Sequence, residues 1–203
     1  MATIYDLKPK FQGLLRPIVK SLAKSGVTAN AITMKAFIMS AGMGAGLAYY
    51  PGARGLLFLL PVFLLVRMAM NAVDGMLARE HDQKTKLGAI LNETTDVLSD
   101  AALYLPFALI PGVDAIAIVT LVLLAIIGEL VGVLGVMIGA SRRYDGPFGK
   151  SDRAFFFGAL ALLLGFGVAP GMWMTAVLGG AILFAALTIV NRARAALKEA
   201  GDG

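Results

Sequence analysis

Six long apolar stretches decide what this chain can fold into. They run roughly over 30–50, 55–79, 87–111, 113–140, 152–168 and 171–193. Each approaches the about 20 apolar residues that a helix needs to cross a bilayer. Turn chemistry separates them: Pro51-Gly52, the polar run 79–86, Pro111-Gly112, the run 141–153 and Pro170-Gly171. Only 15% of the 203 residues are charged, against about 25% in a soluble domain, and mean hydropathy is +0.79. The expected fold is therefore all-α: a polytopic membrane protein of six transmembrane helices over 28–198, with a juxtamembrane segment at 1–27 and a tail at 199–203.

The segment before the first span, 4–24, sets Phe11, Leu14, Leu15, Ile18, Val19 and Leu22 at helical spacing among Lys8, Lys10, Arg16, Lys20 and Lys24. That pattern predicts an amphipathic helix lying on the membrane surface, and it does not read as a cleavable signal peptide. Thr28 and Asn30 are cap candidates at the turn into the first span. Basic residues alternate from loop to loop. Arg79, Lys84 and Lys86 fall in one loop, Arg142, Arg143, Lys150 and Arg153 in another, and Arg192, Arg194 and Lys198 near the end. The intervening loops hold only Arg54. By the positive-inside rule both termini are expected in the cytoplasm.

Several chemistries are excluded early. The chain has no cysteine, which removes disulfides, thiolate metal sites and a Cys nucleophile. Its one histidine, His81, rules out a His-cluster metal centre and reads as an ordinary loop residue. The net charge of +5 fits loops facing anionic lipid. No basic surface interleaved with aromatics suggests nucleic acid as a partner.

Charged residues inside spans are costly and usually mark function. Arg67, Asn71 and Asp74 fall at i, i+4 and i+7 near the end of the second span and share one helical face. Asn92, Glu93, Asp96 and Asp100 open the third. A short basic loop joins the two spans, so both clusters are expected at one depth. Asn71, Asp74, Asn92, Glu93 and Asp96 are then candidate ligands for a hard divalent cation, Mg2+ first and Mn2+ second, of the kind that pairs a few carboxylates with substrate phosphates. Small residues interleaved with them, Gly75, Ala78 and Gly88, give a bulky ligand access to the backbone or allow close helix packing.

Residues 71–96, NAVDGMLAREHDQKTKLGAILNETTD, resemble the signature of the CDP-alcohol phosphatidyltransferase family, D-x-x-D-G-x-x-A-R-x8-G-x3-D-x3-D. Asp74, Gly75, Ala78, Arg79, Gly88 and Asp96 fall in register, while the first and third acids are Asn71 and Asn92. Asn can offer a carbonyl oxygen to a metal but no charge, which makes a one-metal site plausible beside the two-metal pattern. The chain is similar to a bacterial inner-membrane branch of the family.

The resemblance implies a transferase of the cytoplasmic membrane with its site on the cytoplasmic side, commonly a homodimer. An acceptor hydroxyl attacks the phosphorus that carries the alcohol, and CMP leaves. Gly75, Ala78, Arg79 and Gly88 would line the CDP pocket, Asp96 would be the general base and Asp100 its backup, unless Asp100 partners Arg67. Openings between spans favour CDP-diacylglycerol as donor. Arg142, Arg143, Lys150 and Arg153 would meet an acceptor phosphate, which tilts the polar alcohol acceptor towards a phosphorylated polyol. Glu129, mid-span between Gly128 and Gly132, is open to two readings: protonated, or paired across a dimer. The competing functions are a degenerate relative that binds CDP-lipid or metal without turnover, supported by the two Asn, and a small transporter.

Overall fold

The computed structural model describes residues 4–201, with side chains from residue 11 onward. The first three and last two residues, and the side chains of Lys8 and Lys10, lie outside the described residues. Among these residues there is no strand. The α-helices are α1 (Ile4–Lys24), α2 (Ala29–Tyr49), α3 (Arg54–Glu80), α4 (Lys86–Tyr104), α5 (Ala115–Leu134), α6 (Lys150–Gly165) and α7 (Met172–Ala200). Short 3-10 turns extend α4 over Leu105–Leu109 and α5 over Gly135–Ile138.

Four segments have the length and composition to cross a membrane: Ala29–Tyr49, Arg54–Glu80, Ala115–Ile138 and Met172–Ala200. The two other expected spans differ from these for separate reasons. Helix α4 has Lys86, Glu93, Asp96 and Asp100 within 19 residues. Helix α6 has only 16 residues, about 24 Å at 1.5 Å per residue. It ends where Gly167 takes a left-handed φ of 88°, which favours glycine.

The helix ends follow their local chemistry. Thr28 accepts the N–H of Ala31 at 3.2 Å, as its sequence position suggested, and Gln83 accepts the N–H of Ala29 at 2.7 Å. Asp114 caps α5 through the N–H of Ala117, and Asp152 accepts the N–H of Gly149 at the start of α6. Each satisfies a donor that a helix start leaves without an intrahelical partner.

The residues form two compact units. The first comprises 1–42 and 62–99, the second 43–61 and 100–203. In the first, Val19 of α1 is buried with Ile32, Val73, Met76 and Leu77, and Leu15 and Leu22 pack beside it. Phe11, Leu14 and Ile18 stay exposed, on the same apolar arc of α1 as the packed residues, since all six positions fall on one side of the helix. In the second unit, the Tyr104 ring stacks on Phe157 at 4.1 Å between centroids, and Phe107 meets the same ring edge-on. Helix α5 packs along α7, where Ala181, Ala185, Thr188, Arg192 and Ala196 form a buried stripe at helical spacing.

Close packing in the second unit depends on Gly44. A Cβ there would fall 2.2 Å from the carbonyl oxygen of Ala102, and backbone cannot yield as a flexible side chain can. Gly44→Ala is expected to lower stability by about 1–3 kcal/mol, the usual cost of overpacking, in a thermal unfolding measurement in detergent. Gly42→Ala, with open space around its Cβ, is expected to leave the melting temperature unchanged.

Candidate active site

The first unit contains a cavity of about 450 Å3. Four of the five expected metal ligands, Asn71, Asp74, Asn92 and Glu93, line it. So do Gly75, Ala78, Arg79 and Gly88, the residues that the signature assigns to the nucleotide. The heptad-like spacing on α3 and the short link to α4 achieve this convergence. Glu93 faces the cavity as well as Asn92, although the two are successive on α4 and about 100° apart around a helix.

The acids in this unit are held by specific partners. Asp74 is 4% exposed, and its Oδ2 accepts the Thr33 hydroxyl at 2.8 Å. Asp96 does not line the cavity; its Oδ1 accepts Nδ2 of Asn71 at 3.1 Å. Arg67, 3% exposed, donates through Nη2 to the Asp96 carbonyl oxygen at 3.1 Å and lies 3.5 Å from Oδ1. The guanidinium of Arg79 lies over Gly75, where a Cβ would be 3.1 Å from Nη1. A Cβ on Gly88 would be 2.7 Å from Oδ1 of Asn30 and 2.9 Å from Oγ1 of Thr85. Both glycines therefore keep the cavity wall open for polar groups.

Hard oxygen donors around a cavity suit Mg2+ or Mn2+. Here the donors are two carboxylates, Asp74 and Glu93, and two carboxamides, Asn71 and Asn92. Among the described residues no group of three or more His, Cys, Asp or Glu side chains gathers as a metal site would. The two Asn account for this, and the donor set fits a cation of lower ligand charge than the full signature provides.

The remaining expected residues gather in the second unit. Asp100, 5% exposed, accepts from Nε and Nη2 of Arg153 at 3.2 and 2.9 Å. Arg153 also donates to Glu129 Oε1 at 2.8 Å. Glu129 Oε2 takes Arg142 at 2.7 Å and lies 3.3 Å from Nη1 of Arg192. Glu129 is thus paired within its own chain, on three guanidinium groups, an arrangement that neither reading above named. Arg143 goes elsewhere, to Asp145 at 2.9 Å and to Glu199. Lys150 is the first residue of α6. The Arg143 hydrogen bond holds the Asp145 carboxyl below its usual range against the opposing effect of burial. That stabilisation is present above the ordinary carboxylate pKa and is lost as pH falls through the lowered one.

Some functional neighbours were not singled out from the sequence. Thr33, Gln83, Lys84 and Thr85 line the cavity beside the signature. Arg192, 2% exposed, had been counted with the basic tail. Its signal was readable as the fourth position of the small-residue stripe on α7.

The model of the CDP-alcohol phosphatidyltransferase family matches residues 26–195. The chain belongs to this family. It is a CDP-alcohol phosphatidyltransferase, a membrane transferase of phospholipid synthesis. The inner membrane protein YnbA of Escherichia coli is 45% identical over 96% of both chains. An archaetidylinositol phosphate synthase of Pyrococcus horikoshii is 34% identical over 51% of this chain and 52% of its own length. Two structures of Mycobacterium tuberculosis phosphatidylinositol phosphate synthase share the fold. One, with CDP-DAG bound, has a TM-score of 0.75 at 20% identity, covering 92% of this chain and 94% of that one. The other, in complex with manganese and citrate, has a TM-score of 0.73 at 21% identity, covering 92% and 90%.

In this family member the buried ion cluster of the second unit should be mutationally sensitive. Removing one partner of a buried pair typically costs about 3–5 kcal/mol, because the other charge stays buried without compensation. Glu129→Ala, which strips the shared carboxylate from Arg142, Arg153 and Arg192, is expected to destabilise the protein by that order in denaturant unfolding. Glu199→Ala, at an exposed pair, is expected to leave the unfolding midpoint nearly unchanged.

Proposed function

We propose that this transferase moves a phosphatidyl group from CDP-diacylglycerol to the hydroxyl of a polar alcohol, with release of CMP. The observation that carries this reading is the common cavity of Asp74, Gly75, Ala78, Arg79 and Gly88, five signature residues in register. A cavity of about 450 Å3 is in the range of pockets that take drug-sized ligands, and a CDP head group is of that class. The manganese in the neighbouring structure and the oxygen donors here both support a divalent cation, Mg2+ or Mn2+, held by Asp74 with Asn71, Asn92 and Glu93. Bound there, it supplies charge neutralisation to the diphosphate and to the departing CMP.

The chain's own residues do the rest. Arg79, over Gly75, is the cation within the cavity best suited to a phosphate oxygen. Gly75, Ala78 and Gly88 leave room for the nucleotide against the backbone. Asp96 takes the proton of the acceptor hydroxyl as its oxygen bonds to the phosphorus of the diacylglycerol phosphate, and the bond from that phosphorus to CMP breaks. Asp96 is assigned this role over Asp100, whose carboxylate is buried and takes two hydrogen bonds from the Arg153 guanidinium.

The acceptor we propose is a phosphorylated polyol. Arg142, Arg153 and Arg192 face two carboxylates, Asp100 and Glu129, so these five groups carry one positive charge in excess. With Lys150 they suit an anionic acceptor, whereas the Arg143 guanidinium is engaged by Asp145 and Glu199. The wider assignments belong to the same proposal: a six-span domain over 28–198 working as a homodimer in the bacterial inner membrane, α1 on the membrane surface, and both termini and the site facing the cytoplasm.

Release of CMP from CDP-diacylglycerol tests the reading, with purified protein, Mg2+ or Mn2+, and a panel pairing inositol with inositol phosphate and glycerol with glycerol phosphate. Turnover is expected with a phosphorylated member, dependent on the metal. Asp96→Asn is expected to lower it by about 10²–10⁴-fold, the usual contribution of a positioned base. Metal-dependent CDP-lipid binding with no turnover across the panel would instead favour the non-catalytic reading that Asn71 and Asn92 support.

A further inference from the structure

We propose that Lys84 joins Arg79 in holding the donor's diphosphate, and that a clasp on its neighbour Gln83 keeps it at the cavity wall. This deepens the donor reading above and rests on it. Lys84 falls in the eight-residue gap of the signature between Arg79 and Gly88, where no residue type is fixed. It nevertheless lines the cavity with Asp74, Arg79 and Glu93. Among the described residues no acid pairs with Lys84, whereas Arg67, Arg142, Arg143, Arg153 and Arg192 each meet a carboxylate. An ammonium is a compact charge with three donors, and phosphate oxygens are strong acceptors for it.

Lys84 is exposed, and an exposed lysine on an unanchored loop would contribute little. Its loop is fastened on both sides. The His81 N–H donates to the Leu77 carbonyl oxygen at 3.2 Å and closes α3. Asp82 then takes a left-handed φ of 54°, which Asp tolerates better than most residues, and Gln83 meets the turn between α1 and α2. Gln83 Oε1 accepts the Ala29 N–H at 2.7 Å, and Nε2 donates to the Val27 carbonyl oxygen at 3.5 Å. On the other side, Thr85 Oγ1 accepts the Gly88 N–H at 2.9 Å, and the Thr85 carbonyl oxygen accepts that of Ala89 at 3.1 Å. Lys84 thus stands between one residue tied to the start of α2 and one tied to the start of α4. Its backbone is ordered before a ligand arrives, so less is lost when the ammonium engages a phosphate. Gln83 acts through Lys84 and is a positioning residue.

Calorimetric titration with a short-chain CDP-diacylglycerol, in Mn2+ and without acceptor, tests the contact on the purified protein. Lys84→Gln is expected to weaken binding about tenfold, the lower end for a charge-assisted hydrogen bond, because the ammonium stays partly in water. Lys84→Arg is expected to keep most of the affinity. Lys86→Gln removes the same charge two positions on, outside the cavity lining, and is expected to leave binding unchanged. Gln83→Ala is expected to weaken binding as Lys84→Gln does, and Lys84→Gln to add no further loss in that background. Additive losses would overturn the clasp and leave Gln83 a merely structural role. If Gln83→Ala does not fold, the comparison of Lys84→Gln with Lys86→Gln decides. Equal losses in those two, or none in Lys84→Gln, would overturn the inference while wild-type binding left the donor reading intact. No binding by the wild-type chain would overturn both.

Discussion

Carboxylates inside apolar helices are the constraint on which the rest of this molecule depends. An acid or Arg at the centre of a membrane helix costs about 2.5–3.5 kcal/mol on insertion scales. A chain with several of them needs a partner for each. Asp74 has Thr33, Asp96 has Asn71 and Arg67, and Asp100 has Arg153. These contacts are what let α3 and α4 keep oxygen-rich side chains at a cavity in a chain that is otherwise 58% hydrophobic.

Helix α4 shows how one element serves both units of the fold. Asp96 and Asp100 are one helical turn apart, yet they meet different chemistry. Asp96 is 25% exposed on its side chain and lies in the first unit, where it accepts from the cavity-lining Asn71. Asp100 is 8% exposed on its side chain and sits in the second unit's buried ion cluster. Both are paired, Asp96 with Arg67 and Asn71 and Asp100 with Arg153, but Asp96 keeps the greater exposure. The glycines follow the same logic: Gly75 and Gly88 keep space beside polar groups, whereas Gly44 brings two backbones together.

Much of the site was legible because it is local. The spacing from Asn71 to Asp96 is set by two helices and one short loop, so period and loop length alone predict the convergence. The helical class and four of the spans followed from hydropathy in the same way. The second unit was less legible because its cluster joins α5, the loop after it, α6 and α7, far apart in sequence. Arg142 and Arg153 read in the sequence as loop cations that set topology or meet an acceptor phosphate, and their shared partner Glu129 could not be named without the fold. Thr33 and Gln83 were hidden for a related reason, since a single polar side chain near a helix start reads first as a cap. Gln83 does cap α2, but it does so while lining the cavity.

The central claim is that the first unit's cavity grips a CDP diphosphate through a cation anchored on Asp74. Calorimetric titration of a short-chain CDP-diacylglycerol into purified protein tests it most directly, run with Mn2+, with a chelator, and on Asp74→Asn. Binding that requires the cation and is abolished in Asp74→Asn is the result this account predicts. Equal binding in chelator, or in the folded variant, would contradict it.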